Sequence, residues 1–441
     1  MMMSSMLFGR NCKHMENVFK NRNFVLVFLG ALVSELGGTL YNFAVSFYIL
    51  EISGNNAFLQ GLYLAVTGIT MLVITPFGGV LSDRLNRVKI MYVCDYLRGS
   101  AIIVATVLML AFNTPDSHLV ILFAMGVTGN VIGGIFSPAS AALLPGIVNE
   151  DQFQQANSYF TMKSSFISIL GVIAAGILYA ELSVTTLFFI VGVCFCLSGV
   201  SEMFIKVQFT AGTEKMNLQL VFSDMKDGLS YILKKKAICI FMCAMLFINF
   251  FFSPVFSNFM PLFIKTDLAS APSYLFDSFL TPELWSSVFS LVIGVSTIIT
   301  SVILSTKKQE DKCGFKIAVR ICVLTFFMIA ITAGYRVFVA DRHDVNPFLI
   351  IMTVSWIAVG AVTVLINIPA NTVLLKIVDR DKLGKVSSIT NVLTQGLIPL
   401  ASVLAGIILQ KAGCTALLTV CTTGFALTAL IMLFNKYVKE L

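Results

Sequence analysis

Glu35 is the residue of this sequence with the most chemistry in the least favourable place. It lies twelve residues into an apolar run, about 18 Å along a helix that rises 1.5 Å per residue, and so near the middle of a bilayer-length segment. A carboxylate at that depth costs roughly 2.5–3.5 kcal/mol on insertion scales and is tolerated where it faces a cavity or a partner. Asn42, seven residues on, falls on the same helix face. Two readings stay open: a carboxylate bonded to a neighbouring helix, or a group lining a cavity that binds a solute, a proton, or each in turn. Asp95 and Arg98, three apart, share a face about two turns inside their run, as an ion pair that is either structural or part of a coupling device. Lys163 lies two turns into another run, close enough to its end to snorkel to the surface.

Asn130, Asn249, Asn367 and Gln395 also interrupt apolar runs, where each could bond a neighbouring helix. Asn249 and Gln395 stand at a depth similar to Glu35 and are the better cavity candidates, with Phe250, Phe251, Phe252 and Trp356 near that level. Such a mixture of aromatics, amides and one carboxylate suits a bulky amphipathic solute, cationic ones included.

The elements that must position these groups are membrane spans. Hydrophobic residues make up 57% of the 441, charged ones 12%, and the mean hydropathy is +0.89. Soluble domains run to about 45–50% apolar and about 25% charged. A spanning helix needs about 20 apolar residues, and twelve such runs are present: 23–49, 58–82, 88–112, 118–144, 157–180, 184–205, 237–263, 285–305, 316–339, 347–374, 386–409 and 415–435. The architecture is an all-α polytopic membrane protein. A leader (1–22) precedes a six-helix bundle (23–206), a polar linker (207–236), a second six-helix bundle (237–435) and a tail (436–441). The linker carries Leu218, Leu220, Val221, Met225, Leu229, Ile232 and Leu233 at amphipathic-helix spacing. The leader, with Arg10, Lys13, Lys20 and Arg22, has polar interruptions and no cleavage pattern, so it reads as no cleavable signal.

Charge sets the orientation. Of 30 lysines and arginines, 23 fall in segments on the side of the N-terminus and four (Lys265, Arg336, Arg342, Lys411) on the other. The positive-inside rule then places both termini in the cytosol of a plasma-membrane protein. The net charge of +7 is spread over these short loops and is read as topology rather than as a nucleic-acid footprint. Ten cysteines sit mostly in apolar runs without zinc-ligand spacing, and no structural disulfide is expected. His14 and His343 lie outside the runs and His118 at the very edge of one, and neither a catalytic set nor a phosphate loop is present, which disfavours an enzyme or a nucleotide-driven pump; a channel is a further, weaker alternative.

Two motifs remain. The sequence around Phe136, Pro138, Ala139, Leu143, Leu144 and Pro145 recurs near Pro369, Ala370, Leu374 and Leu375, each at the end of the fourth span of its half. A duplication places the solute site between the halves at mid-membrane. The hairpin after the second span reads Gly79, Asp83, Arg84, Arg87, Lys89. It resembles the hairpin motif of the major facilitator superfamily, with Asn86 where that family often has glycine; asparagine tolerates the left-handed backbone such a turn needs. Phe136, Pro138, Ala139, Pro145 and, further on, Gln154, Ala156 and Asn157 resemble the branch containing macrolide-efflux and enterobactin-export proteins. The resemblance implies a secondary transporter without cofactor or metal, acting as a monomer on a small molecule, with protons as the expected coupling ion. The branch implies export, and solute uptake by symport is the alternative. It also implies that Asp83 latches onto the start of the eleventh span, at 385–388, when the cytosolic side closes. Two departures speak against proton coupling by the arrangement usual in drug antiporters: the fourth span holds no arginine, and Gly171 and Gly176 stand without the family's Gly-Pro pair.

Overall fold

A computed structural model describes residues 18–148, 152–207, 230, 232–305, 314–377 and 396–435. Residues 1–17, most of the linker, the second-half loop at 306–312, Gln395, the start of the eleventh span at 385–388 and the tail lie outside them. So do the side chains of Asp83, Pro145, Asn157 and the second motif copy from residue 368 on.

Short connections that end on capping residues start the helices of the first half. Helix α1 (Arg22–Ile52) follows Asn21, whose side chain accepts from the Asn23 and Phe24 amides. Asn56 caps α2 (Ala57–Arg84), Asn86 caps α3 (Arg87–Ala111), and Thr114 caps α4 (Pro115–Leu143). A cap of this kind contributes about 1 kcal/mol. Asn86 has φ −60 and ψ 112 and accepts from the Lys89 amide, so its place in the hairpin is that of a cap, not of a left-handed turn residue. The fifth span is α5 (Phe153–Phe166), a π turn (Ile167–Gly171) and α6 (Val172–Glu181); α7 (Val184–Met203) closes the half.

In the second half α8 (Lys236–Pro254), a π turn (Val255–Phe259), α9 (Met260–Phe263) and a second π turn (Ile264–Leu268) form one long span. Then come α10 (Pro282–Ser305), α11 (Gly314–Gly334) with a π turn (Tyr335–Ala340), α12 (Val345–Ile377) and α13 (Ile398–Phe434). Among the described residues 11 helical stretches are long and apolar enough to cross a membrane. The last leaves helical geometry at Gly413 (φ 80, ψ 178), a left-handed conformation that suits glycine, and so divides into two spans where the sequence separates them. The seventh span runs five residues beyond the expected 263, to Leu268, ending in its second π turn.

The pairings within the first half (α2 on α4, α3 on α7, α1 on α7, α3 on α4) return six spans later. There α10 packs on α12, α11 on both α12 and α13, and α8 on α13. Across the halves α2 meets α13 and α6 meets α10, again a symmetry-related pair. Glycines make these contacts close. A Cβ on Gly61 would collide with the Ser402 carbonyl oxygen, and one on Gly406 would stand 2.7 Å from that of Ala57. In the hairpin the sterically constrained glycine is Gly78, whose Cβ would collide with the Gly134 carbonyl oxygen; a Cβ on Gly79 would meet nothing within 4 Å.

Candidate functional site

Among the described residues, the ion pairs between the halves lie at the end of the molecule where α1 finishes and α2 begins, here the far face; the face where α1 begins is the terminal face. At the far face Lys265 Nζ lies 3.0 Å from Glu51 Oε2 and 3.2 Å from Glu283 Oε1, and Tyr179 donates to the same Glu51 oxygen at 2.8 Å. Below this group Gln60 donates across the seam to the Ser257 carbonyl at 3.3 Å, and within the second half the fully buried Asn258 donates to the Ser402 carbonyl at 3.3 Å. Asn258 sits in the π turn after Pro254, where one extra residue in the turn re-aims the side chains that follow. Ser287 donates to the Val172 carbonyl at 2.8 Å, joining α10 to α6.

Toward the terminal face a polar cluster lies beside α5. Lys163 Nζ lies 2.6 Å from Glu35 Oε2, and Ser164 donates to that same oxygen at 3.2 Å. Glu35 keeps 36% of its side-chain surface exposed and Lys163 only 5%. Lys163 therefore does not snorkel: its ammonium is held inside the bundle by Glu35 and by the ring of Phe160, 5.0 Å away. An open depression along this face of α5 is bordered by Phe160, Thr161, Ser164, Ser165 and Ser168. The helix exposes two stripes. Met162, Phe166 and Leu170 are apolar and read as lipid-facing, while Thr161, Ser164 and Ser168 are hydroxylic and border the depression. On α1 a Cβ added to Gly38, three residues from Glu35, would meet nothing within 4 Å, and Asn42, four further on, is exposed.

A second charged group is sealed inside the first half. Asp95 is fully buried, 4.0 Å from the Arg98 guanidinium, which lies over the rings of Phe195 (4.8 Å) and Phe136 (5.6 Å). Glu202 on α7, also fully buried, is a further carboxyl sealed inside this half, packed beside Gly30 of α1. No described residue donates a hydrogen bond to either oxygen of Asp95 or of Glu202. Sequence reasoning missed Glu202. Its signal was a carboxylate three residues inside the end of an uncharged run, easily taken for the boundary itself.

The sequence-derived candidates thus separate. Glu35 meets α5 through Lys163 and Ser164, and Asn42 is exposed two turns further along α1. Asn130 donates to the Gly126 carbonyl of its own helix at 2.8 Å; Asn249 is half-buried on α8 and Asn367 is exposed on α12. Trp356 does not line a cavity: it is fully buried and packed edge-on against Phe252 (5.9 Å) and Phe256 (5.8 Å), because α12 turns that face into its own half. Of the hairpin residues, Arg87 ties the turn to its own half, donating to the Ser82 carbonyl at 3.2 Å and to that of Ala142 at 2.9 Å. Arg84 and Lys89 are exposed. In the branch motif Ala139 is fully buried, Phe136 is partly buried beside Arg98, and Pro138 lies inside α4.

A family model described as Major Facilitator Superfamily matches residues 27–402. An "Uncharacterized MFS-type transporter YkuC" of Bacillus subtilis (strain 168) is 24% identical over 328 residues, covering 72% of each chain. A "Putative bacilysin exporter BacE" of the same organism is 28% identical over 195 residues, 43% of this chain and 48% of its own. Among solved structures, that of a bacterial homologue of the iron transporter ferroportin superposes with a TM-score of 0.69 at 15% identity, covering 95% of this chain and 98% of its own.

Proposed function

This chain belongs to the major facilitator superfamily of membrane transporters, and we propose that it exports amphipathic small molecules from the cytosol by alternating access, with protons as the coupling ion. The observation that carries the proposal is the joint geometry of the two faces. The halves are joined at the far face by Lys265 and Gln60, while the half-exposed Glu35 carboxylate, held by Lys163 and Ser164, stands nearer the terminal face. The cation bias of the loops favours a cytosolic terminal face, so this arrangement corresponds to the state that loads from the cytosol.

Glu35 gives this arrangement a way to couple. While ionised it holds Lys163 at 2.6 Å and so ties α1 to α5. A proton on Glu35 removes the charge that binds the two helices, so proton binding and helix rearrangement act on one contact. Export in preference to uptake rests on the likeness to the putative exporter BacE.

The test is transport into inside-out membrane vesicles against a panel of macrolides, siderophores and short peptides, with and without an imposed proton gradient. Gradient-dependent accumulation of one class supports the proposal. Accumulation of the same compound by right-side-out vesicles instead would make the protein an uptake symporter.

A further inference from the structure

His118 is a buried titratable group to which the transport cycle proposed above gives no part. It lies in the first turn of α4 with both ring nitrogens engaged: Nδ1 is 2.5 Å from the Tyr48 hydroxyl and Nε2 is 2.9 Å from the Met109 carbonyl. Met109 belongs to the last turn of α3, where helix carbonyls have no amide ahead of them to accept from. A carbonyl only accepts, so Nε2 carries a proton whatever the charge of the ring. In a neutral imidazole Nδ1 is then an acceptor, and Tyr48 gives its hydroxyl proton to it. In an imidazolium Nδ1 is a donor, the Tyr48 oxygen accepts, and the hydroxyl proton must turn to another acceptor. The direction of this one hydrogen bond therefore follows the charge on His118.

That other acceptor is at hand. Tyr48 and His118 line a cavity open to the far face together with Glu51 and Tyr179. Glu51 stands three residues after Tyr48 on the same face of α1. Its Oε2 is the atom that holds Lys265 at 3.0 Å across the seam and accepts from Tyr179 at 2.8 Å. The titratable groups facing the cavity are thus Tyr48 and Glu51 from α1 and Tyr179 from α6, with Lys265 and Glu283 beyond Glu51; the residues that α3 and α7 bring to it carry no charge. Asp116, on the same helix as His118, is exposed and does not line it.

We propose that His118 is a proton-binding site on the outer face of the protein, and that a proton bound there loosens the contact between the halves. The proton comes from bulk water and binds at Nδ1. Tyr48 keeps its own proton and re-aims it at Glu51, which gains a donor in place of Lys265. The new positive charge beside Glu51 weakens the hold on Lys265 further, and Lys265 retains Glu283 of its own half as a partner at 3.2 Å. Histidine changes charge between about pH 5 and 8, so acid on the outer side shifts the far face toward open. The far face is the outer one by the cation bias of the loops. This proton is a different one from that assigned to Glu35, and its site stands whether or not Glu35 couples transport.

The experiment measures the distance between the halves by double electron–electron resonance on the full-length protein in nanodiscs. Spin labels at Glu181→Cys and Asp277→Cys, exposed positions on the two halves at the far face, are introduced after the native cysteines are replaced. Taking the sample from about pH 7.5 to about pH 5.5, across the range in which histidine changes charge, should raise the ratio of far-open to far-closed protein about two- to five-fold, the factor that loss of one exposed ion pair allows. His118→Gln should abolish the response, since its amide can donate to Met109 and accept from Tyr48 but takes up no proton. Tyr48→Phe, which keeps the ring and removes the hydroxyl, should reduce the response. Lys265→Met should abolish it, leaving the far face more open at both pH values. Melting temperatures show which variants are folded. Overturning results are a parent protein whose distances do not move with pH, or a folded His118→Gln that responds in full. Glu35→Gln should respond like the parent; a response lost there and kept in His118→Gln would assign the effect to Glu35 and overturn the inference. Transport that fails in Glu35→Gln while the distance response stays intact leaves both readings in place, each on its own residue.

Discussion

Lys265 in the second half stands 3.0 Å from Glu51 in the first, across the seam at the far face. Glu283, from the second half, approaches the same ammonium at 3.2 Å. The lysine thus sits between one carboxylate of its own half and one of the other, and only the Glu51 contact must break for the halves to part. An exposed pair of this kind is worth about 0.2–1 kcal/mol, small enough for a transporter to make and break in each cycle.

Replacing Lys265 by methionine should therefore favour the far-open state, by about two- to five-fold for a contact of that strength. A cysteine at Ser257, beside the Gln60 contact, would be labelled correspondingly faster from outside by an impermeant maleimide. An unchanged rate would mean that the ion pair does not bias the equilibrium.

Gly406→Leu should act more strongly. Even a Cβ at that position would stand 2.7 Å from the Ala57 carbonyl oxygen, and backbone cannot step aside as a side chain can. The far face should fail to close, with maleimide labelling of Ser257→Cys at its maximal rate. Gly38→Ala, where a Cβ meets open space, serves as the control, with expression and melting temperature unchanged.

Removing one member of a buried ion pair leaves its partner uncompensated, at about 3–5 kcal/mol. Asp95→Ala should lower the melting temperature sharply, and the double change Asp95→Leu with Arg98→Met should recover much of the loss. A double variant no better than the single one would show that the pair is not what holds Asp95 and Arg98 in place.

Arg87→Ala loses two charge-assisted bonds, to Ser82 and Ala142, each worth about 1.5–3 kcal/mol. Lysine should restore little, because it lacks the planar fork that reaches both carbonyls. Thermal unfolding of the alanine and lysine variants against the parent protein checks this, and full stability of either would contradict it.

The spans were legible because apolar runs end at asparagine, threonine and serine caps, a local signal that packing does not alter. The depth of Glu35 was legible for the same reason, since counting residues along a helix gives height in a membrane. Azimuth was not. Which way Lys163 and Trp356 turn depends on the neighbour each helix meets, so Lys163 read as a snorkelling surface residue and Trp356 as a cavity wall. The hairpin glycine shows a related gap. Gly78 and Gly79 are adjacent in sequence, and only the proximity of Gly134 on α4 tells them apart.

Glu35→Gln tests the central claim most directly. The variant keeps the shape and polarity of the side chain and removes the charge that holds Lys163. Measured in inside-out vesicles at matched protein levels, with the best substrate from the transport panel, gradient-driven accumulation should fall to the level of vesicles lacking the protein. Accumulation at the parent rate would contradict the account, since neither the Glu35–Lys163 contact nor a proton on Glu35 could then be part of the transport cycle.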